Sequence, residues 1–194
     1  DSIKQLVWRI AIPSMLAQFV SVLYSIVDRI YIGNIPQIGD LALAGVGVCG
    51  PIVTMVGSVA FWIGIGGSPL MSIRMGEKNI EAARKILANC FLMLLVSSGL
   101  MMAVIMPLTT PMLQLFGASE ATLPYAKTYF LVYMCGTVFA LMATGLNQFI
   151  IAQGYANTGM KSVVIGAVLN ILLDPLFIFV FHMGVAGAAL ATVL

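Results

Sequence analysis

The sequence predicts an all-α integral membrane protein, a bundle of apolar helices. Three observations carry the prediction. Of 194 residues, 61% are hydrophobic and 8% are charged, where a soluble domain carries about 25% charged residues. The apolar residues fall in successive runs of about 20, the length that crosses a hydrocarbon core as an α-helix, and a single soluble core does not explain several such runs. No stretch alternates apolar and polar positions over about 10 residues, which argues against a membrane β-barrel. The net charge of +2 makes no case for a nucleic-acid partner; the partner that composition implies is membrane lipid.

The first predicted span covers about residues 10–32, with Pro13 in its first turn, where proline is best tolerated. Residues 33–40 are a turn-rich loop. The second apolar stretch, about 41–72, is unusually long and is interrupted by Gly50-Pro51 and by the cluster from Gly64 to Pro69. Its glycines permit close helix packing or a local distortion. The most charged segment, 74–85, reads as a loop feeding a third span at about 86–108. A loop from Pro111 to Pro124 precedes the fourth span, about 125–151, and residues 153–162 form a polar connection to the fifth, about 163–181. Met183-Gly184 is a tight turn, and a truncated sixth span begins at 185. Asp1 is not a start methionine and Leu194 falls inside that last apolar run, so the chain is read as a fragment of a longer protein, without a cleavable signal peptide. Cys49, Cys90 and Cys135 lie far apart in apolar contexts, without metal-site spacing, and read as packing residues.

Basic residues set the orientation. Lys4 and Arg9 precede the first span, Arg74, Lys78, Arg84 and Lys85 lie between the second and third, and Lys161 lies between the fourth and fifth. The alternate loops hold none, apart from Lys127 just inside the fourth span. Positive residues stay on the cytoplasmic side, which puts the N-terminus inside a multi-pass protein of the cell's inner membrane.

Two carboxylates interrupt the apolar runs. An acid at membrane depth costs about 2.5–3.5 kcal/mol on insertion scales and marks a functional site by default. Asp174 is flanked by apolar residues; Asn170 lies four positions earlier, on the same helix face, and Pro175 removes a backbone donor and frees a carbonyl one turn back. Asp28 lies near the outer end of the first span with Tyr24 one turn before it. Arg29 points about 100° away and reads as snorkelling to the outer interface. Counting along the helices puts Thr192 at a depth similar to Asp174, and Asn147 and Asn170 nearer the midplane. One chamber holds them all if the first, fourth, fifth and sixth spans face each other. Taken alone, Asn147, Tyr129 and Asn170 also fit a role as polar glue between membrane helices.

These residues resemble the N-terminal lobe of the multidrug and toxic compound extrusion (MATE) transporters. The likeness rests on Pro13, Val27-Asp28 and Gly33; on Gly76 and Ala82-Ala83; on Gly117-Ala118; and above all on the stretch from Asn170 to Leu176 followed by that from Gly184 to Thr192. Gln153-Gly154 stands where the family often has Arg-Gly, and Tyr155 to Thr158 departs from its usual loop. The resemblance implies half of a two-lobe, twelve-helix transporter that exports organic cations by alternating access, with a C-terminal lobe of the same protein completing the path. It implies no cofactor beyond a coupling ion, H+ or Na+. Carried over by position, Asp28, Asn170, Asp174 and Thr192 fall on the cation site, with Na+ a candidate occupant, and Tyr24, Tyr129 and Asn147 fall on the cavity lining.

The residues suit either ion. Burial disfavours the charged form of a carboxyl group, and each of two neighbouring acids disfavours ionisation of the other, while Asp, Asn and Thr oxygens also suit a hard cation. An intramembrane aspartyl protease would need a Gly-x-Gly-Asp element, but Leu173 precedes Asp174; the chain is read as a non-enzyme. A lipid or polyisoprenoid-linked flippase of related architecture is the alternative, and would want a more basic groove than Arg29 and Lys127 offer.

Overall fold

The computed structural model describes residues 3–194, and among them every regular element is a helix. Asp1 and the side chain of Lys4, both used in reading the sequence, lie outside the described residues. Helix α1 runs Ile3–Gly33. It starts earlier than predicted, so Pro13 is buried in its interior instead of its first turn. There the ring removes the bond to the Arg9 carbonyl and loosens the helix at that point.

Helix α2, Gly39–Gly76, is 38 residues long and passes through Pro51 and Pro69 without a break. At 1.5 Å per residue it measures about 57 Å, well beyond a hydrocarbon thickness of about 30 Å. Its glycines serve packing. A Cβ on Gly64 would lie 3.0 Å from the Gly145 carbonyl and 2.9 Å from Gln148, and one on Gly67 would meet Cys90 and Phe149. Small residues let the backbones approach this closely.

The charged segment 74–85 is mostly helical, not a loop. Helix α2 continues to Gly76, and α3 (Ile80–Ile105) begins after Asn79, whose side chain accepts a bond from the Ala82 amide at 3.0 Å. Ion pairs Arg74–Glu77 at 2.8 Å and Lys85–Glu81 at 2.7 Å flank that cap. The segment predicted as a loop from Pro111 to Pro124 overlaps a short helix, α4 (Thr109–Leu115), held by the buried Leu113. The predicted fourth span is two helices, α5 (Leu123–Cys135) and α6 (Thr137–Ala152), bent by 58° at Gly136. A Cβ on Gly136 would fall on the Val193 side chain, so the bend is where the end of α8 presses in.

Helix α7 (Ala156–Pro175) begins within the predicted polar connection. Beyond Pro175 the chain widens into a π turn, Leu176–Val180, marked by the bond from the Phe181 amide to the Leu176 carbonyl at 2.9 Å. The turn at Gly184, with φ +54°, leads to α8 (Val185–Val193). Gly187 packs so tightly on the π turn that a Cβ would lie 2.8 Å from the Phe177 carbonyl carbon.

Helix α2 is central, packed on α3, α5 and α6, while α1 packs chiefly on α7 and α8 rests on α5 and the π turn. Four helices are long and apolar enough to cross a membrane (α1 from Val7, α2, α3, and α7 with its π extension), and the bent α5–α6 pair makes a fifth. Apart from its α7 face, α1 is largely uncovered: Ile12, Met15, Phe19 and Leu23 are exposed.

Candidate functional site

The packing of α1 on α7 brings Asp28 against Asp174. Asp174 is fully buried and Asp28 is 8% exposed. The two carboxyl groups are close enough to interact directly, but no hydrogen bond of good geometry satisfies them: Asp28 Oδ1 and both Asp174 oxygens are buried without a protein partner. Asn170, one turn below Asp174 on α7 and 5% exposed, has both its Oδ1 and Nδ2 in the same condition. Five orphaned polar atoms on three neighbouring side chains contrast with the usual satisfaction of more than nine in ten buried polar groups. Each such atom costs about 1–3 kcal/mol, so a cluster of them marks a place built for something other than stability.

Asp28 also faces a cavity of about 260 Å³, lined by residues of α1, α2, α5 and α8. Of the predicted residues, Tyr24, Asp28, Tyr129 and Thr192 line it. The Thr192 hydroxyl donates to the Ala188 carbonyl at 3.0 Å, and the Tyr129 side chain lies beside Thr192 and within electrostatic reach of Asp28. Tyr129 stacks on Tyr133, with ring centroids 6.4 Å apart and planes 7° from parallel. Asp174 and Asn170 do not line this cavity; Asp28 links it to them. Asn147 stands apart, its Oδ1 buried against Gly159 where α6 packs on α7.

The expected chamber of four facing spans therefore has a different wall. Helix α2 supplies Val46, Val53 and Thr54, which the sequence reading did not include. Tyr133 was also missed, although its position one turn after Tyr129 put it on the same face. The arrangement offers carboxyl, amide and hydroxyl oxygens to a small hard cation or a proton, beside an aromatic surface able to receive an organic one.

An all-helical bundle whose helices are long and apolar enough to cross a membrane, with paired, unsatisfied acids among them, is a lobe of a multi-pass membrane protein. The chain belongs to the MatE family, whose model matches residues 13–176. It is 32% identical to "Probable multidrug resistance protein YpnP" of Bacillus subtilis over 99% of this chain, and 28% identical to "Multidrug export protein MepA" of Staphylococcus haemolyticus, also over 99%. Among solved structures, the outward-facing conformation of a multidrug resistance MATE family transporter superposes with a TM-score of 0.90 at 28% identity, covering 98% of this chain and 42% of that one. The chain likewise spans 42% of the length of both relatives, as expected of the N-terminal lobe.

Proposed function

We propose that this chain is the first lobe of a secondary active exporter of organic cations and drugs. The coupling ion, H+ or Na+, binds at Asp28, Asp174, Asn170 and Thr192, and the substrate is received in the adjoining cavity with Tyr24, Tyr129 and Tyr133. A second lobe of the same protein completes the path. The cluster of buried, unpartnered oxygens at Asp28, Asp174 and Asn170 is the observation that carries this reading. A cation seated there satisfies atoms that the protein leaves unsatisfied, and a ligand that binds one facing state better than the other shifts the lobe between them. The irregular backbone at Pro175 and the π turn directly follows Asp174, so loading the acid acts next to the most deformable part of α7.

Of the relatives above, one is named a multidrug export protein and the other a probable multidrug resistance protein. Orientation follows from the basic residues: Arg9, Arg74, Lys78, Arg84, Lys85 and Lys161 lie at one set of helix ends, giving a cytoplasmic N-terminus in the inner membrane. A flippase for phosphate-bearing lipids is less well supported, because Arg29 is the single basic residue lining the cavity and two acids back it. The deciding experiment is dye extrusion by the full-length protein in vesicles under separate pH and sodium gradients. Efflux should follow one of the two gradients and vanish in Asp174→Asn; extrusion independent of both gradients would reject the reading.

A further inference from the structure

Coupling and efflux leave one charged side chain at the site without a role. Arg29 follows Asp28 on α1, is exposed, and lines the cavity just described. It also lines a second hollow of about 340 Å³ with Gln18, Ser21 and Ser25. These four follow one another at steps of three and four residues, so they form one stripe along α1. Ser25 and Arg29 belong to both hollows and join them. Apart from Gln5 and Arg9 near the start of the helix, the other exposed residues described on α1 are apolar. A polar stripe ending in a guanidinium does not face hydrocarbon; such groups turn toward the bundle interior or a water-filled space.

Arg29 is also free to bind. It feels the charge of Asp28 but forms no salt bridge with it. Its planar fork of donors matches a carboxylate with two parallel bonds. A simple organic cation drawn toward Asp28 would pass this positive charge on the same rim. A molecule carrying a carboxylate as well as a cationic centre turns that repulsion into attraction: its cation meets Asp28 and the Tyr129–Tyr133 stack, and its anion meets Arg29.

We propose that Arg29 is a specificity-determining residue that pairs with an anionic group of the cargo, so that this site prefers zwitterionic substrates to plain organic cations. The inference rests on the efflux reading above. Its test uses the full-length protein in vesicles with one xanthene dye in two forms, the free carboxylate (a zwitterion) and its methyl ester (a cation). Wild-type protein should move the zwitterion in preference to the ester. Arg29→Gln should weaken zwitterion transport by about tenfold, the scale of one charge-assisted hydrogen-bonded contact, and leave ester transport equal or better. Arg29→Lys, which keeps the charge and loses the fork, should fall between. Ester transport by the variants doubles as the check that they fold. Failure of wild-type protein to move the zwitterion while moving the ester, or equal effects of Arg29→Gln on both dyes, would overturn the inference. So would a loss that follows the anionic-lipid content of the vesicles for both dyes alike, because Arg29 would then be a headgroup anchor. Failure of wild-type protein to move either dye under any ion gradient would instead sink the efflux reading itself.

Discussion

Replacing Asp174 with Asn in the full-length protein should abolish ion-driven export without destabilising the fold. Two carboxylates at about 4 Å in a medium of effective dielectric 20 repel by about 4 kcal/mol. If both are ionised, the Asp28–Asp174 pair is a burden on the lobe that a bound cation would relieve, as the proposed coupling requires. Asp174 is fully buried and neither of its oxygens has a hydrogen-bond partner. Asparagine has nearly the same shape, removes the repulsion, and brings an Nδ2 donor toward Asp28. A hydrogen bond to a charged group contributes about 1.5–3 kcal/mol, so without cation the variant should unfold at the same or a higher denaturant concentration than wild type. Cation linkage should behave oppositely. A ligand present at 100 times its Kd stabilises by about 2.7 kcal/mol, so wild-type protein should gain stability from the coupling ion, and Asp174→Asn should gain none. The assay is unfolding in detergent with sodium or choline as the counter-cation, repeated at several pH values, alongside vesicle transport. A loss of more than about 1 kcal/mol in the variant without cation would show that the carboxyl is a structural tie, and undiminished export would refute the argument outright.

Further outcomes follow from the same geometry. Gly136→Ala should destabilise the full-length protein by about 1–3 kcal/mol through overpacking on Val193, and Val193→Ala should restore most of the loss in a double-mutant cycle. Thr192→Val keeps the volume of the side chain and removes its hydroxyl from the cavity wall; cation affinity, read as the ion concentration giving half-maximal stabilisation, should fall about tenfold. Glu81→Ala breaks an exposed pair with Lys85, and unfolding should shift by no more than about 0.5 kcal/mol.

The legible parts of this molecule are those governed by hydropathy and by the cost of charge in lipid. Apolar run length located α1, α2, α3 and α7, and Asp28 and Asp174 stood out because nothing else in their surroundings tolerates a carboxylate. Tertiary contacts decide the rest. The residues from 125 to 151 read as one span because nothing local demands a bend at Gly136; the side chain packed against that bend is Val193, 57 positions later in the chain (193 − 136). Helix α2 looked interrupted at Gly50-Pro51 and at Gly64 to Pro69, but its glycines answer to neighbouring helices, and α2 stays continuous. Asn147 has the same composition signal as Asn170, yet one sits at the α6–α7 contact and the other beneath Asp174. Depth along a helix can be counted from a sequence, whereas the direction a face takes within a bundle depends on its partners. Thr54 carries no sequence signal at all, since a lone threonine in an apolar helix usually bonds its own backbone, as this one does to the Gly50 carbonyl at 2.9 Å.

The distribution of order in the lobe favours a switch over a scaffold. Interfaces of α2 with α3 and α6 are closed to the point where single methyl groups do not fit at Gly64 or Gly67, and close-packed interfaces move as units instead of deforming. Several local irregularities gather in one neighbourhood. Asp174 is unsatisfied, Pro175 breaks the hydrogen-bond ladder, the π turn follows at once, and the positive-φ residues His182 and Gly184 reverse the chain into α8. Gly187 ties that irregular stretch to α8, whose far end carries Thr192 into the cavity and Val193 against the bend of α5–α6. A change of charge at Asp174 thus has a short mechanical route to the cavity wall and to the bent helix pair. A lobe built for rigidity alone would satisfy these atoms and straighten this backbone; the two defects together, on one side of a tightly packed bundle, fit the ion-driven change of shape proposed above.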